Sequence, residues 1–239
     1  APKGRTVGKV PGRSVKASRP DLPTAESERD LFAARIEAHW LGIGSRLLEQ
    51  LDLQQKAIPD VAGVFDIAEQ AADVEPVIRA HMQRLAEIGA WDVLAEWNPD
   101  ADGWGPEMVQ AWIAKAAETN ATRWATGMFH GMVTAVTGRD PEGGLVNLLT
   151  TAALAVAIAS AFATEAHSFG GWDAATKSGL GVKTWHVRSR NPRPSHAAQD
   201  GETVGIDDIF SNGLRWPGDH FGDAAENANC TCELTYGKS

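Results

Sequence analysis

Apolar side chains recur at helical spacing through the first three quarters of the chain, and then the period shortens. From Ser27 onward Leu31, Ile36, Trp40, Ile43, Leu47 and Leu51 line one side of a helix running to Leu53, with Ser27 as its N-cap. A second helix is predicted from about Val74 to Trp97, with Pro76 in its first turn, where a missing N–H costs no helical bond. Asn98-Pro-Asp-Ala-Asp-Gly-Trp-Gly105 breaks the pattern. Pro106 then opens a third helix to about Thr137, with Trp112, Ile113, Ala116, Trp124, Phe129 and Val133 as its apolar face. Arg139-Asp-Pro-Glu-Gly-Gly144 ends it, and an Ala-rich segment leads into a last helix closing near Gly179.

Beyond Gly181 the alternation is that of short strands. Thr184–Val187 and Cys232–Tyr236 read as two of them, separated by Gly, Pro, Asn and Asp. Ser195-His-Ala-Ala-Gln-Asp200 fits one helical turn, with Ser195 as cap and Gly201 as stop, and would set His196 and Asp200 on one face. The expected fold is therefore mainly α. A helical N-terminal body, residues 24–179, carries a small α+β C-terminal module, residues 180–239, and an extended basic arm, residues 1–23, precedes both.

Charge sharpens the reading of that arm. The chain carries −9 overall, so it is not a basic nucleic-acid binder as a whole. Yet Lys3, Arg5, Lys9, Arg13, Lys16 and Arg19 face no acid in the first twenty residues. Such a segment has too little apolar surface to offset its ordering entropy, and it reads as a tail that orders on DNA or in the groove of a partner protein. A hydrophobic content of 43% is that of an ordinary globular chain. The N-terminus has no apolar run of the secretory kind. Leu145–Ala163 is uncharged for nineteen residues, a membrane-spanning length, but seven are Ala, polar residues interrupt it and no basic flank anchors it. It is expected to be a buried bundle helix, with no stable membrane insertion.

Both cysteines of the chain, Cys230 and Cys232, lie two apart on the last strand-like segment. That spacing puts both sulfurs on one face, too far apart for a relaxed disulfide but well placed to hold one metal ion. His196 is the expected third ligand, with His186, Asp200, Asp219 and His220 as candidates for a fourth. Cys-x-Cys is a weaker metal signature than paired Cys-x-x-Cys, however, which favours the other reading, two small thiols packing the strand. His196 and Asp200 read either as a general acid/base pair or as a histidine held in one tautomer by a carboxylate. Arg188, Arg190 and Arg193 can grip phosphate or pair with Asp207, Asp208 or Asp219, and the acidic neighbourhood favours pairing. Glu165 is expected to cap or to pair with a cation of the module, and the nine tryptophans to anchor cores and interfaces.

Taken in order, Trp185, Arg188, Arg190, Arg193, His196, Asp200, Gly201, Phe210, Pro217, Asp219, Asn229, Cys230 and Cys232 make up an aromatic-started strand, an Arg-rich turn, H-x-x-x-D-G, P-x-D and N-C-x-C. This pattern resembles the C-terminal module of the phage Mu F-like minor head proteins, the head-morphogenesis family of tailed phages. Ala163-Thr-Glu165 through Gly179 is similar to the helix before that module, so the resemblance covers about 164–236. Thr231 departs from the Arg often found between the two cysteines. The resemblance implies a structural virion protein in the phage head near the portal vertex, present in the host cytoplasm during assembly. It would act in head assembly, DNA packaging or genome delivery. The portal protein and capsid interior would be its partners, with DNA reached through the arm. That role needs no catalysis and no cofactor, and it admits zinc. The alternative is a metal-dependent, hydrolase-like module with Cys230, Cys232 and His196 as ligands and Asp200 as base.

Overall fold

The computed structural model describes residues 21–54, 60–98, 104, 105, 107–222, 224–227 and 229–239. The six cations of the basic arm, from Lys3 to Arg19, lie outside them. Asp21–Pro23, the end of the expected arm, is described, and Leu22 packs against the Trp91 end of the bundle.

The protein is mainly helical, with a small three-stranded antiparallel sheet near its C-terminus. Helix α1 is Ala25–Gln54 and α2 is Ile67–Trp97; α3 is Glu107–Val136, α4 Pro141–Thr150 and α5 Ala153–Lys177. Helix α1 begins two residues before Ser27. Thr24 is its cap, accepting from the Ser27 backbone N–H at 3.1 Å. The buried side of α1 is Phe32, Ile36, Trp40, Ile43 and Leu47, so Leu31 turns out to solvent. Helix α2 starts seven residues earlier than its pattern suggested, because the Asp66 carboxylate caps it by accepting from the N–H groups of Ala68 and Glu69. Pro76 therefore sits inside the helix and not in its first turn. On α3 the buried face is Val109, Ile113, Ala116, Ala117, Asn120, Trp124, Met128 and Met132, which leaves Trp112 and Phe129 half-buried and Val133 exposed.

The Ala-rich stretch is not one helix. It breaks between α4 and α5, which meet at a bend of 46°. At the bend the Trp40 indole N–H donates to the carbonyls of Leu148 (3.0 Å) and Thr151 (3.1 Å), tying the break to α1. Among the described residues no single helix is long and apolar enough to cross a membrane. Leu145, Leu149, Ala155, Ala159 and Phe162 of this stretch are buried, as a bundle position requires.

The module contributes strand β1 (Val182–His186), helix α6 (Pro194–Gln199), strand β2 (Thr203–Gly205), a short helix α7 (Ala224–Asn227) and strand β3 (Glu233–Gly237). The sheet order is β2-β1-β3, with Thr184 opposite Thr203 and Trp185 opposite Leu234. Strand β2 was not evident in the sequence, since three residues are too few to display an alternation. The module is not packed as a separate body. Trp216 enters the bundle core, where Phe169 and Trp172 of α5 lie with ring centres 5.5 and 5.6 Å away and Trp112 of α3 is 6.3 Å away.

Candidate functional site

Helix α6 begins at Pro194, whose fixed backbone angle suits the first helical position. Arg193 occupies the cap position, so Ser195 is not the cap; its hydroxyl donates instead to the Glu226 carboxylate at 3.0 Å. His196 thus lies in the first turn and points into the module. Asp200 ends the helix in extended backbone, and Gly201 follows at φ +83°.

That cap geometry separates the two residues expected to share a face. The His196 ring goes inward: its Nδ1 lies 3.3 Å from Cys232 Sγ and 3.8 Å from Cys230 Sγ. Asp200 turns the other way, and its carboxylate accepts from the backbone N–H of Val187 at 2.9 Å. Asp200 is therefore a clip on the strand leaving β1. It makes no hydrogen bond with His196.

His196, Cys230 and Cys232 are all buried and converge so that one donor atom from each lies within 4.8 Å of the others. They share a small core with Trp185, Phe210 and Leu214, and the Trp185 ring meets His196 edge-on with centres 5.5 Å apart. The sulfurs differ in state. Cys230 hydrogen-bonds to Cys232 and is buried, and both effects push its thiol up. Cys232 is held low first by the Cys230 thiol, then by His196 and the Trp185 indole, against the opposing effect of burial. Of the two sulfurs, Cys230 is therefore the one that holds a proton more tightly. An open cleft of about 490 Å³ adjoins them, with Ser189, Asn191, Arg193 and Thr231 on its walls.

None of the four candidates for a fourth ligand faces this group. His186 bonds to the Thr235 hydroxyl at 2.8 Å. Asp219 is gripped by Arg215 through Nε and Nη2, both at 2.8 Å. His220 is engaged with Glu165 on α5, through its ring and through its backbone N–H at 3.0 Å. The expected pairing of the turn arginines with a carboxylate forms at Arg188, with Glu233 in place of Asp207, Asp208 or Asp219. Arg188 pairs with Glu233, Arg190 is exposed, and the Asp219 carboxylate belongs to Arg215. Arg193 is half-buried beside the cysteines.

The remaining motif residues build the junction with the bundle. Trp216-Pro217-Gly218-Asp219 is a buried turn lying on α5. Gly218 is at φ +79°, and a side chain there would collide with the backbone at Ala161 and Glu165. Asp219 organises the loop, accepting from the N–H groups of Arg215 (3.0 Å) and Phe221 (3.1 Å). Burial alone would raise its carboxyl, but the Arg215 guanidinium and these N–H groups hold it below the usual range. Thr164 donates to the Cys230 carbonyl, and Asn229, in the left-handed region at φ +54°, turns the chain into the cysteine segment. Glu165 does pair with the module: it receives His220 on one oxygen and the Asn120 amide (2.9 Å) on the other.

Two contributors were invisible in sequence. Glu226 lies in a stretch without periodicity, and its Oε2 stands 3.3 Å from His196 Nε2. Lys183 alternates with polar neighbours on β1 yet is buried, with its ammonium 5.4 Å from the centre of the Phe210 ring. Burial lowers it to about 8, with Asp207 and Asp208 acting against that. Compared with family models, curated proteins and solved structures, the chain matches none.

Proposed function

We propose that this protein is a minor head protein of a tailed phage. It sits at or near the portal and acts in head assembly, DNA packaging or genome delivery. One observation carries the reading. The apolar and thiol residues of the ordered pattern meet one another: Trp185, Phe210, Cys230 and Cys232 share a core with His196, and Thr164 and Glu165 receive the turns around Cys230 and His220. A pattern of unlike residues that closes on itself in space is what a module-defining motif requires. The helical body supplies the broad surface for the portal and capsid interior, and the basic arm supplies the cationic segment for DNA or a partner groove. The role needs no chemistry from the protein. We favour it over the hydrolase-like alternative because Asp200, the carboxylate named there as base, accepts from the Val187 backbone N–H instead of bonding His196.

The test is composition of the particle. Purified heads analysed by mass spectrometry should contain this chain at fixed stoichiometry, and the tagged protein should co-purify with portal. Heads that lack it, together with no portal association, would overturn the reading.

A further inference from the structure

We propose that His196, Cys230 and Cys232 form a three-ligand site for zinc or a similar thiophilic divalent cation, oriented by Glu226 and open to the cleft at its fourth position. The inference stands apart from where the protein acts and rests on four observations.

The first is distance. A tetrahedral ion about 2.3 Å from sulfur and about 2.0 Å from nitrogen separates those donors by about 3.6 Å. The His196 Nδ1 to sulfur distances, 3.3 and 3.8 Å, bracket that value. The second is donor chemistry. Two thiolates and a neutral imidazole balance a dication, and this soft set selects zinc over magnesium or calcium.

The third is the far side of the ring. With Nδ1 facing the sulfurs, Nε2 lies 3.3 Å from the Glu226 carboxylate, which the Ser195 hydroxyl holds at 3.0 Å. A metal-bound histidine commonly gives its other N–H to a carboxylate, which fixes the tautomer and raises the basicity of the ligand nitrogen. In this structure Nε2 is buried without a hydrogen-bond partner, and Glu226 is the carboxylate within reach to accept it once the ring and carboxylate align. The fourth is that no further donor among the described residues joins the set. His186, Asp200, Asp219 and His220 are each engaged elsewhere, so the remaining position faces the cleft. Three protein ligands and an exchangeable fourth are the arrangement of an open site and not of a closed structural one.

The full-length protein, stripped by a chelator, would be titrated with cobalt(II) as an optical probe, and its zinc content measured after reconstitution. One ion per chain is expected, with thiolate-to-cobalt charge-transfer bands and the intense visible bands of a tetrahedral site. Cys230→Ser and Cys232→Ser should each change those bands and weaken binding. Folded protein that gives no thiolate bands, or gives the same bands in both serine variants, overturns the site. If the serine variants do not fold, alkylation of the wild-type cysteines decides: zinc must slow it, and an unchanged rate overturns the site. Glu226→Gln should keep the cobalt bands and the melting temperature of the metal-free protein, while weakening affinity about 10–100-fold. Unchanged affinity removes Glu226 from the orienting role. Added azide or imidazole should shift the visible bands by entering the fourth position; bands that do not move overturn the open coordination.

Discussion

Glu165, wholly buried near the middle of α5, accepts the backbone N–H of His220 at 3.0 Å and so fastens the C-terminal module to the helical body. The same carboxylate takes the Asn120 amide of α3 at 2.9 Å. One side chain therefore joins two helices and a loop. Removing it strands a buried amide, a backbone N–H and an imidazole together. Glu165→Ala is expected to destabilise by about 3–5 kcal/mol, the range for breaking one partner out of a buried charged network. Urea denaturation measures the loss. Limited proteolysis should show the module cut before the bundle.

Helices α2 and α5 cross at glycine. A side chain at Gly170 would drive into the Ala86 carbonyl, and one at Gly89 into the His167 carbonyl. An ordinary helical Gly→Ala change stabilises by about 1 kcal/mol. Overpacking costs about 1–3 kcal/mol and must win here, because the obstacle is backbone. Gly170→Ala should lower the melting temperature, and an increase would mean the helices separate freely.

Lys183 sets a pH dependence. Its folded value, about 8, lies below the unfolded value of about 10.4, so between the two the unfolded chain binds more protons. Stability from this group is therefore fully present above about pH 10.4 and is lost as pH falls through about 8. Chemical denaturation of wild type against Lys183→Met across this window should give a difference that grows with pH in favour of wild type. A flat difference would mean that Lys183 is solvated.

Asp200 separates the two readings of the His/Asp pair. Because its carboxylate serves the Val187 N–H at the surface, Asp200→Ala should cost about 1 kcal/mol. Thiol reactivity and metal binding at Cys230 and Cys232 should stay unchanged. A variant that keeps its stability but changes the alkylation rate of the cysteines would return Asp200 to the cluster.

Local signals account for much of the fold. The helical period of Ile36, Trp40, Ile43 and Leu47 survives as the buried face of α1, since that spacing admits few other ways to hide four large side chains. The Cys-x-Cys pair and His196 were recognisable as a group because their chemistry is rare in this chain. Errors arose where a neighbouring residue made the better helix start or where the chain broke against a distant one. Ser27 and Ser195 are good cap residues, but Thr24 and Pro194 start those helices earlier. The uncharged stretch from Leu145 reads as continuous, but it bends where Trp40, more than a hundred residues away, bonds the Leu148 and Thr151 carbonyls.

From the sequence alone came a mainly α body, a small α+β module after Gly181, the break around Asn98 and the donors His196, Cys230 and Cys232. Periodicity and residue chemistry are local properties, so they can be read without coordinates. Tertiary structure alone decided that Asp200 leaves the group, that Glu226 stands behind the imidazole, and that Glu165 receives His220. Each depends on which way a side chain turns where two distant segments pack. Hydrogen bonds reach only about 3 Å, so such partners are chosen by the packing of the whole chain and not by spacing along it.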